Sequence, residues 1–174
     1  MLIDLRNLLS GTKEEISVSA ELEMNVFKYA VAEYDIIAKK PVELLITRIG
    51  KNKLHITGNG YVALSIPCDR CLEPVQTDIC FDIDREIDIK EDSGMVEDDE
   101  EKDYIDGYNL DVDKLVFGEI FLLIPGKTLC KEDCKGLCLK CGANLNQGEC
   151  GCDRASLDPR MSVFKDILNN FKEV

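Results

Sequence analysis

Apolar and polar residues alternate along several stretches of this chain, and the sharpest alternation runs over 79–89. Ile79, Phe81, Ile83, Ile87 and Ile89 share one parity, while Asp82, Asp84, Glu86 and Asp88 share the other. Side chains in a strand point alternately to its two faces, so this segment predicts a half-exposed strand with Cys80 on the polar side. Ile16, Val18 and Ala20 alternate in the same way with Ser17, Ser19 and Glu21. The stretch 41–49 is rich in aliphatic and β-branched residues, and Gly50-Lys51-Asn52-Lys53 follows as a turn. Leu54, Ile56 and Thr57 resume a strand, Gly58-Asn59-Gly60 reads as a break, and 61–66 forms another strand. The segment 24–38 is mixed and reads as strand or loop. Strands joined by such short turns are expected to pair as an antiparallel meander.

The period changes after residue 110. Asp111 can cap a helix over 111–124, with Val112, Leu115, Val116, Leu122 and Leu123 at helical spacing and Pro125-Gly126 as its end. Glu119 falls within that apolar stripe, either at its rim or as a buried carboxylate in need of a partner. Near the C-terminus, Asp158-Pro159 supplies an N-cap and first-turn signature. Met161, Phe164, Ile167, Leu168 and Phe171 then form one face of a helix expected to pack back on the sheet. The fold class read from these patterns is α+β. It comprises an antiparallel meander sheet or partly open barrel, a few helices, and a cysteine module resembling a zinc ribbon. The expected organisation is a β-rich domain over 1–128, the cysteine module over 129–153, and the terminal helix over 154–174.

Charge sharpens this picture. The 174 residues carry a formal net charge of −13, but 88–113 contains twelve acids against Lys90 and Lys102, leaving −3 for the remainder. The run 91–103, nearly free of apolar residues, is expected to be a mobile loop. From Pro125 onward eight bases face seven acids. The net charge argues against simple coating of nucleic acid, since affinity for phosphate comes from Lys and Arg. A basic partner is at least as compatible with the chain as RNA. The N-terminal residues lack the basic region and apolar run of a signal peptide, and the apolar stretch 115–124 is too short to span a bilayer. A cytoplasmic location, with no membrane partner, is the expectation.

In a reducing compartment, clustered cysteines point to metal more often than to disulfides. Of nine cysteines, eight fall into pairs: Cys68 with Cys71, Cys130 with Cys134, Cys138 with Cys141, and Cys150 with Cys152. Zinc takes four thiolates in a tetrahedron, and Cys-x-x-Cys offers two from one tight knuckle. Gly142 gives the knuckle a small residue, and 144–148 reads as a turn back to Cys150. The arrangement favoured by spacing makes Cys138, Cys141, Cys150 and Cys152 one local site. Cys68, Cys71, Cys130 and Cys134 then make a second, tying a strand end to the segment after the helix, and Cys80 is left over. The alternative joins Cys68, Cys71, Cys138 and Cys141 into a single ribbon. An iron–sulfur cluster would also accept four thiolates. A redox role for Cys68 and Cys71 lacks the βαβ context of a thioredoxin-like motif. The one histidine, His55, sits in a strand and is not expected to be a ligand. Filled all-cysteine sites leave no position for an activated water, so the metals are expected to supply folding energy. With no phosphate loop, no nucleophile triad and no paired carboxylates outside the acidic run, neither an enzyme nor a small-molecule substrate is expected.

Four segments carry a resemblance. They are Cys68-Asp-Arg-Cys71, and the acidic run followed by Leu115-Val-Phe-Gly-Glu-Ile-Phe-Leu-Leu-Ile-Pro125. The third, over 130–146, reads Cys-Lys-Glu-Asp-Cys-Lys-Gly-Leu-Cys-Leu-Lys-Cys-Gly-Ala-Asn-Leu-Asn, and the fourth is Asp158-Pro-Arg-Met161. With them the chain resembles the YceD-type large ribosomal RNA subunit accumulation proteins of bacteria and plastids, in the Gram-positive form that has the second cysteine cluster. The resemblance implies a role in making, processing or stabilising 23S ribosomal RNA, brings no catalytic residues, and marks Arg70 and Glu119 as matched positions with structural or contact roles. The expected partner is 23S ribosomal RNA or the pre-50S particle, met by Arg70, Lys127, Lys131, Lys135, Lys140, Arg154 and Arg160. The alternative partner is a basic protein of the large subunit, met by the acidic stretch.

Overall fold

The computed structural model describes residues 1–30, 32–89 and 103–152. In chain order the elements are β1 (Leu2–Asp4), α1 (Arg6–Leu9), β2 (Glu15–Ala20), β3 (Val26–Tyr29), β4 (Ala32–Lys39) and β5 (Val42–Arg48). These are followed by β6 (Lys53–Pro67), β7 (Pro74–Asp88), β8 (Ile105–Asp106), β9 (Asn109–Asp111) and α2 (Val112–Leu123).

The main sheet is a meander of four long antiparallel rows. β6 and β7 are 15 residues each and pair along their whole length, from Lys53 opposite Asp88 to Pro67 opposite Pro74. On the other side of β6, β5 and β4 lie end to end. β5 pairs from Arg48↔Leu54 to Glu43↔Asn59, and β4 continues from Lys39↔Val62 to Asp35↔Ser65. Between them Lys40 still donates its N–H to the Tyr61 carbonyl at 3.1 Å. Pro41, with no N–H to give, marks the gap. β2 pairs with β5 and β3 with β4, completing the fourth row. The sheet is open: among the described residues no ladder joins β7 to the β2–β3 row. The expected antiparallel sheet is found, and among the described residues it does not close into a barrel. A small second sheet, ordered β1-β9-β8, lies beside it.

Two sequence expectations change here. Gly58-Asn59-Gly60 does not break the chain, because β6 runs straight through it. A Cβ at Gly58 would collide with the Glu43 carbonyl, and one at Gly60 with the Phe81 ring. These glycines allow close approach between rows; they do not end a strand. The mixed segment 24–38 resolves into the β3–β4 hairpin.

The inner face of the sheet carries the core. Phe27, Leu44, Ile46, Leu54, Ile56, Leu64 and Ile87 are all but fully buried, and Leu5, Leu8 and Leu110 join them from the small sheet and α1. α2 closes this core with Val112, Leu115, Val116, Glu119 and Ile120. Asp111 caps it as expected, accepting from the N–H groups of Asp113 and Lys114. Ile124 is extended, as the residue before Pro125 must be, and the helix ends there. Leu122 and Leu123, expected in the buried stripe, are instead exposed, and Phe121 between Ile120 and Leu122 meets the Tyr29 ring at 4.4 Å. The burying face of the helix stops at Ile120. Glu119 is a buried carboxylate with a partner: Arg85 donates from Nε at 3.1 Å and from Nη2 at 2.9 Å to its Oε1. The outer face of β7 displays Asp78, Cys80, Asp82, Asp84 and Glu86 to solvent, as its alternation predicts. The expected acidic loop lies mostly, and the expected terminal helix wholly, outside the described residues.

Candidate metal centre

The knuckle 68–73 joins β6 to β7 at the end of the long hairpin. Its turn is closed by the Leu72 N–H on the Cys68 carbonyl and the Cys68 N–H on the Glu73 carbonyl. The segment leaving α2 arrives alongside. Thr128 donates its N–H to the Asp69 carboxylate at 2.8 Å, and Asp69 returns its own N–H to the Thr128 carbonyl at 2.9 Å. This two-way clamp delivers Cys130 and Cys134 to Cys68 and Cys71. The four sulfurs of that group lie within 4.8 Å of one another, as do those of Cys138, Cys141, Cys150 and Cys152. Spacing favoured these same two quartets. The single-ribbon alternative, Cys68 and Cys71 with Cys138 and Cys141, is not the grouping the chain adopts.

The first quartet has the dimensions of a tetrahedral thiolate site. With metal–sulfur bonds of about 2.3 Å, neighbouring sulfurs in a zinc tetrahedron stand about 3.8 Å apart. Here Cys68 Sγ lies 3.9 Å from Cys134 Sγ, and Cys71 Sγ lies 3.5 Å from Cys130 Sγ. Cys68, Cys71 and Cys134 are buried, with Val75, Leu129 and Leu137 packed around them, in a cluster separate from the main core. The residues thus fit a closed site for a soft or borderline divalent ion, which would leave no position for a reacting water.

The thiols differ within each quartet. Burial pushes the Cys68 thiol up, but N–H donors from Arg70, Cys130 and Cys71 outweigh it and bring it down to about 6. The Cys130 N–H reaches Cys68 Sγ at 3.4 Å. Burial, then the neighbouring sulfurs, hold Cys130 up at about 12. In the second quartet the N–H groups of Cys141 and Lys140 lower Cys138 to about 6, while the Cys141 and Cys150 sulfurs raise Cys152 to about 12. N–H donors thus favour the thiolate at Cys68 and Cys134 in the first group and at Cys138 in the second, and crowding of sulfurs resists further charge. A divalent cation held by these cysteines would supply the missing counter-charge and displace the remaining protons.

The second quartet is built on the first. Arg70 donates from Nη1 to the Cys134 carbonyl at 2.8 Å, and its own carbonyl accepts the Leu137 N–H at 3.1 Å. Gly136, at φ +74°, lets this crossing form, since a Cβ there would stand 3.0 Å from the Arg70 oxygen. The loop between Cys141 and Cys150 returns to the first quartet. Asn144 Nδ2 and Gln147 Nε2 both reach Glu73 Oε1, at 2.8 and 3.1 Å, and Asn146 Nδ2 reaches Cys134 Sγ at 3.3 Å. Sequence reading took 144–148 only as a turn. Its signal was two asparagines flanking one leucine between ligand-type cysteines, which turn propensity already explained.

Of the basic residues expected to meet a partner, Lys127, Lys131, Lys135 and Lys140 are exposed around the cysteine module. Arg70 is exposed too, yet its guanidinium is engaged in bracing Cys134. Arg154 and Arg160 lie outside the described residues. His55, on the outer sheet face, bonds Asp84 at 2.7 Å and belongs to neither quartet. Among the described residues no helix is long and apolar enough to cross a membrane.

Comparison with known proteins places this geometry in a lineage. The sequence profile of the large ribosomal RNA subunit accumulation protein YceD matches residues 56–168, from near the start of β6 through both quartets. A chloroplastic YCED homolog 1 of Arabidopsis thaliana is 43% identical over 49 residues, covering 28% of this chain and 15% of that protein. The homolog 1 of Zea mays is 42% identical over 60 residues, covering 32% of this chain and 20% of that protein. The matched part thus spans no more than a fifth of these plastid relatives. No solved structure matches the chain. With its matched region covering most of the main hairpin, α2 and the whole cysteine module, the chain belongs to the YceD family of large ribosomal RNA subunit accumulation proteins.

Proposed function

We propose that this protein is a non-catalytic, cytoplasmic factor supporting the synthesis, processing or stability of 23S ribosomal RNA. In this reading it holds two structural Zn2+ ions, one in each cysteine quartet, and meets pre-ribosomal RNA or the pre-50S particle through its cysteine module. Family membership supplies the pathway. The observation that supports this contact face is the distribution of charge. Lys127, Lys131, Lys135 and Lys140 are exposed around the quartets beside Glu132, Asp133 and Glu149, a nearly neutral surface, while the outer face of β7 presents Asp78, Asp82, Asp84 and Glu86. A polyanion is repelled by the second surface and can find its cationic contacts on the first. The zinc reading is supported by the thiolate-only ligand sets and by sulfur separations of 3.5 and 3.9 Å. Zinc there would bring order to segments with few apolar residues, the role of a closed structural site.

That same acidic face supports a second reading, in which the partner is a basic protein of the large subunit. The two differ in which charges matter. If RNA is the partner, binding to a 23S fragment falls as salt rises, with a slope of about −0.7 to −0.9 per phosphate contact. Replacing Lys131, Lys135 and Lys140 by Glu should then weaken binding and reduce that slope by about 2 to 3. Filter binding across a salt series measures both. Unchanged RNA affinity in the triple variant, with loss of a basic ribosomal protein after Asp82→Asn, Asp84→Asn and Glu86→Gln, would favour the second reading.

A further inference from the structure

Between the two quartets lies a side chain that no metal-ligand pattern includes. Asn146 sits in the loop whose ends are Cys141 and Cys150, both in the second quartet, yet its amide faces the first. Nδ2 donates to Cys134 Sγ at 3.3 Å and to Asn144 Oδ1 at 3.0 Å, while Oδ1 accepts the Lys135 N–H at 2.9 Å. The amide is thus held on both sides: it cannot turn its oxygen toward the sulfur without losing the Lys135 donor. The Leu145 N–H on the Gly136 carbonyl, at 2.9 Å, keeps the loop against the strand of chain carrying Cys134. An N–H aimed at a sulfur favours the thiolate and fixes its direction, and burial of Cys134 removes competing water.

We propose that Asn146 is a positioning residue coupling the two quartets, so that a metal ion in the second orders the 142–149 loop, sets the Asn146 amide on Cys134, and tightens metal binding in the first. This inference rests on the metal-binding reading above. Its physical basis is the sequence of constraints. A loop free at Cys141 and Cys150 must lose conformational freedom before Asn146 can reach Cys134, and a metal joining those two cysteines removes that freedom beforehand. Linkage makes the effect reciprocal: an ion in the first quartet favours closure of the second by the same factor. The cysteine module would therefore fill as a unit and not as two independent sites.

The test uses the full reduced chain, titrated with Co2+ and followed by thiolate-to-metal charge-transfer absorption, and with Zn2+ against a competing chelator. Alkylation of unliganded cysteines, read by peptide mass spectrometry, assigns each ion to a quartet. Asn146→Ala is expected to weaken the first quartet about 10- to 100-fold, the usual effect of removing a partner that orients a ligand. Asn146→Asp keeps the oxygen that accepts from Lys135 but loses the donor, and should weaken it at least as much; this separates the N–H···S bond from loop packing. The Cys141→Ser/Cys150→Ser pair should weaken the first quartet by the same factor as Asn146→Ala, and adding Asn146→Ala to that pair should change nothing further. Two ions bound with wild-type affinity in both Asn146 variants would overturn the coupling. So would a first quartet indifferent to Cys141→Ser/Cys150→Ser, since the loop would then be set by Glu73 and Gly136 alone. Absence of tight uptake by the wild type overturns the metal-binding reading itself, and shows before any variant is made.

Discussion

Glu119 and Arg85 show how a pair of irregularities in the sequence can be one feature of the fold. Arg85 has the parity of Ile83 and Ile87 on β7, the inward face, and Glu119 sits among the buried residues of α2. Each breaks its own apolar pattern, and they meet: two N–H groups on one carboxylate oxygen, joining helix to sheet. Their exposures are unequal, the glutamate side chain at 11% and the arginine at 44%. The consequences of removing either partner are therefore unequal as well. Arg85→Ala leaves a buried carboxylate without its donors and should cost about 1.5–3 kcal/mol, the range for hydrogen bonds to charged groups. Glu119→Leu leaves an arginine that water can reach and fills an apolar stripe, so it should cost less than about 1 kcal/mol. Denaturant unfolding of both variants checks the asymmetry. Equal losses would mean that the pair is not anchored by desolvation of Glu119. Family resemblance marks Glu119 without a role; the geometry gives it a structural one.

At the scale of elements, Asp113 does for the N-terminal region what Glu119 does for the sheet. From the first turn of α2 it accepts the N–H groups of Glu23 and Met24, at 2.8 and 3.0 Å, and the Met1 ammonium at 2.6 Å. It thus ties the small sheet, the link between β2 and β3, and the helix to one carboxylate. Burial pushes Asp113 up, but the ammonium and the two N–H donors outweigh it and hold it below its ordinary 3.8. A depressed folded-state value means that this stabilisation is fully present above the ordinary value and is lost as pH falls through the folded one. Asp113→Asn should therefore lower the melting temperature at neutral pH, and the gap from wild type should close in acid, as a pH series of thermal melts would show. What was legible in sequence at this scale follows from physics that acts locally. The alternation of β7 and the Asp111 cap need only nearby residues, and both are found. The continuity of β6 through Gly58 and Gly60 was not legible, because those glycines answer to Glu43 and Phe81, close in the sheet and distant in the chain. β1 and α1 were missed for a related reason: three- and four-residue elements are too short for periodicity, and they exist by pairing with β9 and burying Leu5 and Leu8. The quartets were legible because four-coordinate thiolate chemistry constrains spacing so tightly. Asn146 was not, since its partner is a sulfur twelve residues away.

Among the described residues the molecule has two centres of cohesion, and they are separate. The main core runs from Ile3 to Ile120 and contains no cysteine; the second is a small cluster of Cys68, Cys71 and Cys134 with Val75, Leu129 and Leu137. The segment 129–152 contributes no residue to the main core; its order rests on this small cluster, on hydrogen bonds to the knuckle and, in the metal-binding reading, on the ions. In peptides that fold around zinc the ion contributes roughly 10–16 kcal/mol, comparable with or greater than the stability of a whole domain. How far its loss spreads therefore depends on what else holds each part. The sheet has its own apolar core and a 15-residue hairpin with full pairing, whereas the module has neither. Stripping metal with a strong chelator under reducing conditions should thus release the amides of 130–152, and the knuckle at 68–73, to fast hydrogen exchange. β5, β6 up to about Leu64, and α2 should keep wild-type protection, since stability in such a molecule is local. Exchange followed by mass spectrometry on chelated and zinc-loaded protein distinguishes the outcomes. Protection lost across the sheet at the same chelator concentration would show the quartets to be part of one cooperative fold. Protection retained in 130–152 would show that the hydrogen bonds from Arg70, Glu73 and Asp69 hold the module without metal.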